Sequence, residues 1–154
     1  MKENQLDPID VRILEELTAD ARIPFVQLAK KLNVSNTLIH QRIKKLKEAG
    51  ILKKAIYLVD SWRLGYQTQA YSSIILTDSK FHRQVEEALS KIPEVVECAN
   101  IAGRYALLAK VVATDNRHLR EIIYEKIHTV EGVEGTNTTI VFEMAFERGI
   151  PLQL

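Results

Sequence analysis

RIPFVQLAKKLNVSNTLIHQRIKKLKEAGILKK, residues 22–54, carries nine Lys and Arg side chains against one acid, Glu48, in a chain whose net charge is only +1. Pro24 opens a helical pattern in which Leu28, Ala29 and Leu32 form the apolar side, and Asn33-Val34-Ser35 makes a short turn with Val34 plugging the core beneath it. Ser35 caps the next helix, Leu38, Ile39, Ile43 and Leu46 form its seam, and Gly50 stands where a C′ glycine ends a helix. Helices crossing steeply at a tight turn must approach closely at one point, which suits the small Ala29. The pattern predicts a helix-turn-helix whose third helix enters a DNA major groove. Asn36, Thr37, His40 and Gln41 lie off the apolar seam and are the candidate base readers, although His40 fits an idle surface position as well. Arg42, Lys44, Lys45 and Lys47 are candidate phosphate contacts, flanked by Arg22, Lys30 and Ser35 and followed by Lys53 and Lys54. A merely solvated helix face normally mixes charge signs, and this stretch does not.

Upstream, Asp7-Pro8 reads as N-cap and N1, with Asp10 near N3 and Ile9, Ile13, Leu14 and Leu17 at helical spacing up to Asp20. Downstream, Ile51 to Val59 reads as a strand, either a wing or a tether leading out. Asp60 to Gly65 reads as a turn or linker that packs Trp62 at a domain or subunit junction. Residues 1–60 hold 11 basic and 8 acidic side chains and residues 61–154 hold 10 and 12, so the basic character belongs to the first part.

In the second part, Gln67–Leu76 is strand-like, Phe81, Val85, Ala88, Leu89 and Ile92 set out a helix stopped by Pro93, and Val95–Ile101 is strand. Gly103-Arg104 turns into an apolar strand over Tyr105–Ala113. Asp115 caps a helix carrying Leu119, Ile122, Ile123 and Ile127, and after Gly132 a last strand runs through Thr138, Ile140, Phe142, Met144 and Phe146. Strand, helix, strand, strand, helix, strand is the split βαβ arrangement, with two helices on one face of an antiparallel sheet. Leu107 and Val111 alternate with Leu108 and Val112, so the opposite face is apolar too, and a second copy is its most economical cover. The fold class is α+β: a winged helix-turn-helix over 1–60 and a ferredoxin-like βαββαβ domain over 61–154 that dimerises through its sheet.

Other classes find little support. No run of 18 apolar residues spans a membrane, and Met1-Lys2-Glu3-Asn4 does not begin a secretory signal. The single cysteine, Cys98, excludes an intrachain disulfide and reads as a buried small hydrophobe, as expected of a cytoplasmic protein. His40, His82, His118 and His128 are dispersed, so no metal site is expected, and the motifs of enzymes and nucleotide cofactors are missing.

The whole chain resembles the Lrp/AsnC family of transcription factors. Leu6-Asp7 with Asp10, Ile13-Leu14, Leu17, Asp20 and Arg22 match the family's opening; Leu28-Ala29, Leu32, Val34-Ser35, Arg42-Ile43, Leu46 and Gly50-Ile51 match its helix-turn-helix; and Gly103, Tyr105, Gly132-Val133, Thr136 and Thr138 match its effector domain. The resemblance implies dimers that associate further, often to octamers, and wrap nucleoid DNA under control of a small molecule, usually an amino acid. It places the effector loop at Ile101, Ala102, Gly103, Arg104, Tyr105 and Ala106, facing a strand around Thr136, Thr138 and Thr139. Where the family typically has Gly-x-Tyr-Asp, this chain has Ala106, which cannot pair with an α-ammonium. Either nearby carbonyls, hydroxyls or an acid such as Glu97 or Glu134 take that role, or a different effector binds, or none does. The expected function is thus a sequence-specific, effector-responsive DNA-binding regulator without cofactor, the alternative being an effector-independent architectural DNA-binding protein.

Overall fold

Asp7 caps the first helix as its sequence predicts. The structure, a computed structural model, describes residues 6–152, so Met1-Lys2-Glu3-Asn4 lies outside the described residues. The helices of the first unit are α1 (Pro8–Ala19), α2 (Phe25–Leu32) and α3 (Asn36–Glu48). Asp7 Oδ1 accepts from the amides of Ile9 and Asp10, and the Asp10 carboxylate accepts in turn from the Asp7 amide, closing a capping box. Asn33 adopts a left-handed conformation (φ 55°) that ends α2, and Ser35 Oγ accepts from the Leu38 amide at 3.1 Å to start α3. Ile13, Leu28, Ala29, Ile39, Ile43 and Leu46 close the core, with Val34, Leu52 and Leu152 packed against it.

The strand expected over Ile51–Val59 pairs with nothing among the described residues. Residues 53–60 are without ladder partners, and Ile56, Tyr57, Leu58 and Val59 are exposed. A strand needs a partner edge to satisfy its backbone groups, and this unit holds no strand among its described residues.

The second unit contains β1 (Thr68–Leu76), α4 (His82–Leu89), β2 (Val95–Asn100), β3 (Leu107–Ala113), α5 (Asn116–Glu121) and β4 (Val133–Val141). A 3₁₀ turn, Ser79–Phe81, precedes α4, and α5 runs on into a π segment, Ile122–Ile127. The sheet is antiparallel in the order β2-β3-β1-β4. Ala70, Ile74, Leu107, Ala109, Val111 and Ala113 pack with Val85, Leu89, Ile122 and Ile127 of the helical segments in one core. By register, Tyr71, Ile75, Leu108, Val112 and Val141 take the opposite face, interleaved with Ser73, Lys110 and Asn137.

Two expectations are corrected. The last strand starts at Val133 and stops at Val141, because Gln69 opposite Val141 is the second residue of β1 and only Thr68 remains beyond it. Phe142, Met144 and Phe146 therefore lie past the sheet, exposed. Cys98 is exposed on an edge strand rather than buried. By contact, the first unit runs to Leu58 and takes in the segment from Phe146 onward, while the second is Val59–Ala145.

Candidate DNA-reading face and effector cleft

Helix α3 sorts its side chains as an amphipathic helix must. Ile39, Ile43 and Leu46 are buried, and Asn36, Thr37, His40 and Gln41 are exposed along the same helix. The His40 ring meets the edge of Phe25 with centroids 5.0 Å apart. Lys45, Lys47, Lys30, Lys53 and Lys54 are exposed and make no ion pair among the described residues. Lys44 reaches Glu48 at 3.8 Å, a loose surface pair worth little. Arg22 lies over the Tyr57 ring at 5.7 Å. Ser35 already accepts a bond as a helix cap, and its hydroxyl proton is left to donate to another partner.

Arg42 differs from its basic neighbours. Its Nη1 donates to Asp7 and, at 3.3 Å, to both carboxylate oxygens of Asp10. Asp10 is 2% exposed. The Asp10 amide and the Arg42 guanidinium together hold the Asp7 carboxyl below its ordinary range. The sequence offered a signal for this pairing, an acid on each side of the helix-start residues and an arginine next to an apolar seam, but only the fold joins them.

In the second unit the β2–β3 loop turns at Gly103 (φ 130°), and Ile101 and Ala106 close it with a backbone bond of 3.0 Å. Arg104, Tyr105, Ile75, Glu134, Gly135, Thr136, Asn137 and Thr138 line a cleft of about 480 Å³. Asn137 Nδ2 donates to the Tyr105 hydroxyl at 3.2 Å, linking the loop to β4. Ile101, Ala102, Gly103 and Ala106 shape the loop without lining the cleft. Thr136 and Thr138 also face the helices, where they bond His128 at 2.8 Å and Ser72 at 2.9 Å. Thr139 is outside the cleft, opposite Tyr71 of β1. Of the two acids weighed against the missing aspartate, Glu134 lines the cleft, whereas Glu97 pairs in register with Lys110. Asn137 and Ile75 had no sequence signal beyond their places on strands.

A helix-turn-helix with an open polar and basic helix face, joined to a βαββαβ unit with a polar cleft, defines a class of DNA-binding regulators with a ligand-binding domain. A family profile described as winged helix-turn-helix DNA-binding matches residues 6–53, and the Lrp/AsnC ligand binding domain matches residues 69–151. The chain is 32% identical over 147 residues to the regulatory protein AsnC of Haemophilus influenzae, covering 96% of this chain and 98% of that one. It is 34% identical to a proline dehydrogenase transcriptional activator of Rhizobium radiobacter, covering 97% of each. The structure of Escherichia coli AsnC superposes with a TM-score of 0.88 at 33% identity, covering 95% of this chain and 98% of the other. This chain belongs to the Lrp/AsnC family and is a DNA-binding transcriptional regulator.

Proposed function

We propose that the regulator binds an amino acid in the cleft beneath Arg104 and reads DNA with Asn36, Thr37, His40 and Gln41, while Lys45 and Lys47 contact phosphates. The observation that carries the effector is the charge placement: a guanidinium, Arg104, and a carboxylate, Glu134, line one cleft. That pair complements the carboxylate and ammonium of a zwitterion, and Glu134 supplies the anion that Ala106 cannot. Tyr105, Asn137 and Thr136 add hydroxyl and amide groups. The interleaved apolar positions on the uncovered sheet face suit a second copy, giving a two-fold dimer able to assemble further and to address a two-fold DNA site. Among the described residues no group of His, Cys, Asp and Glu side chains could hold a metal ion, and we read the chain as a non-enzymatic regulator of the cytoplasmic nucleoid, with no resident cofactor.

Thermal-shift measurement against each of the twenty amino acids, with mass followed by light scattering, tests the effector. At least one amino acid is expected to raise the melting temperature of the full chain, and Glu134→Gln to abolish that shift while leaving the unliganded melting temperature unchanged. A response that survives Glu134→Gln unaltered would place the ammonium elsewhere.

A further inference from the structure

An ion-pair cluster in the first unit joins α3 to the cap of α1, through Arg42, Asp7 and Asp10. We propose that Arg42 is a positioning residue: it ties α3 to the N-terminus of α1 through Asp7 and Asp10, and so sets how Asn36, Thr37, His40 and Gln41 are presented without itself touching a phosphate. The proposal rests on the reading of α3 as the recognition helix.

Three observations support it. Asp10 is nearly inaccessible at 2% exposed, and among the described residues Arg42 is the one cation within ion-pair distance of it. A carboxylate removed from water needs such a partner, and breaking the pair is costly because it leaves a buried charge uncompensated. Asp7 and Asp10 are themselves fixed in the capping box, so Arg42 meets acceptors that cannot swing with it. Arg42 also follows Ile39 by three positions and precedes Leu46 by four, which sets it beside the buried seam of α3. The apolar seam fixes how deeply α3 sits, but apolar contact has no direction. A guanidinium bridging two anchored carboxylates adds the directional restraint on rotation about the helix axis. Lys45 and Lys47, on the same helix, have no such partner among the described residues.

The test is a double-mutant cycle on the full chain, with affinity for a mixed-sequence duplex measured as a function of salt. Arg42→Met and Asp10→Asn are each expected to weaken binding by on the order of tenfold, and the double variant by no more than either alone, since both remove one coupling. Neither is expected to change the slope of log affinity against log salt, because no phosphate contact is lost. Lys45→Met, in contrast, should reduce that slope by about 0.9. If Arg42→Met does not fold by circular dichroism, the cycle is read with Arg42→Lys, which keeps the charge and loses the bridge. The proposal is overturned if the Arg42 variant lowers the slope as Lys45→Met does, or if its loss of affinity adds to that of Asp10→Asn. Those outcomes leave DNA reading by α3 intact. A wild-type chain that binds no duplex at any salt would instead sink the functional reading and the positioning role with it.

Discussion

At the scale of single residues, Glu94 shows how burial and pairing set a stability contribution. It precedes β2, and its Oε1 accepts from Lys126 Nζ at 2.6 Å and lies 3.6 Å from His118 Nε2, while its Oε2 is buried without a hydrogen-bond partner among the described residues. The bond from Lys126 holds the carboxyl below its ordinary value of 4.5, with the charges of Lys126 and His118 adding to the effect. A carboxyl depressed in the folded state stabilises the fold above its unfolded value, and that contribution is lost as pH falls through the lower folded value. Glu94→Gln is therefore expected to lower the melting temperature at neutral pH, with the gap from wild type closing as pH drops below 4.5. A gap that stays constant from neutral pH to pH 3 would show that the loss is one of packing. None of this was legible in the sequence, where Glu94 is 24 residues from His118 and 32 from Lys126. The cap residues Asp7 and Ser35 were legible, because capping is decided within a few residues of chain.

At the scale of elements, the junctions carry the information. Gly132 joins the π segment to β4 at φ 98°, and a Cβ there would lie 2.4 Å from Phe81 Cβ and 2.5 Å from its Cγ. Gly103 also has a positive φ, but a Cβ there would meet nothing within 4 Å. Gly132→Ala is expected to destabilise the chain by more than about 1 kcal/mol, and by clearly more than Gly103→Ala, because it adds a clash to the backbone cost. Urea denaturation midpoints of the two variants check the order; equal losses would mean that Phe81 moves aside freely. Both glycines stood out in the sequence, Gly103 as a turn and Gly132 as the start of the last strand. The role of Phe81 did not, since it belongs to a 3₁₀ turn that follows β1 and meets Gly132 only because β1 pairs with β4. Strand ends were misjudged for a related reason. Phe142, Met144 and Phe146 continue an alternating pattern, but a strand ends where its partner ends.

At the scale of the whole molecule, the alternation in β3 has two consequences. Leu107 and Val111 are fully buried beneath the helices, while Leu108 and Val112 are only half-buried on the face the helices leave uncovered. If that face carries the subunit contact we propose, Leu108→Lys is expected to leave the secondary structure unchanged by circular dichroism and to lower the mass in light scattering. An unchanged mass would place the subunit contact elsewhere. Contact also assigns the segment from Phe146 onward to the first unit, where Leu152 packs on the helix-turn-helix core. Linear reading could not foresee this, having divided the chain once, after residue 60. By itself the sequence determined the helices, their caps, the order of strands and helices in the second unit, and a basic third helix in the first, because each depends on periodicity and on neighbours a few positions away. Only the tertiary structure decided that Arg42 answers Asp7 and Asp10, that Glu134 and not Glu97 shares a cleft with Arg104, and where β4 stops. Those facts depend on distances between residues tens of positions apart, which packing fixes and local pattern does not.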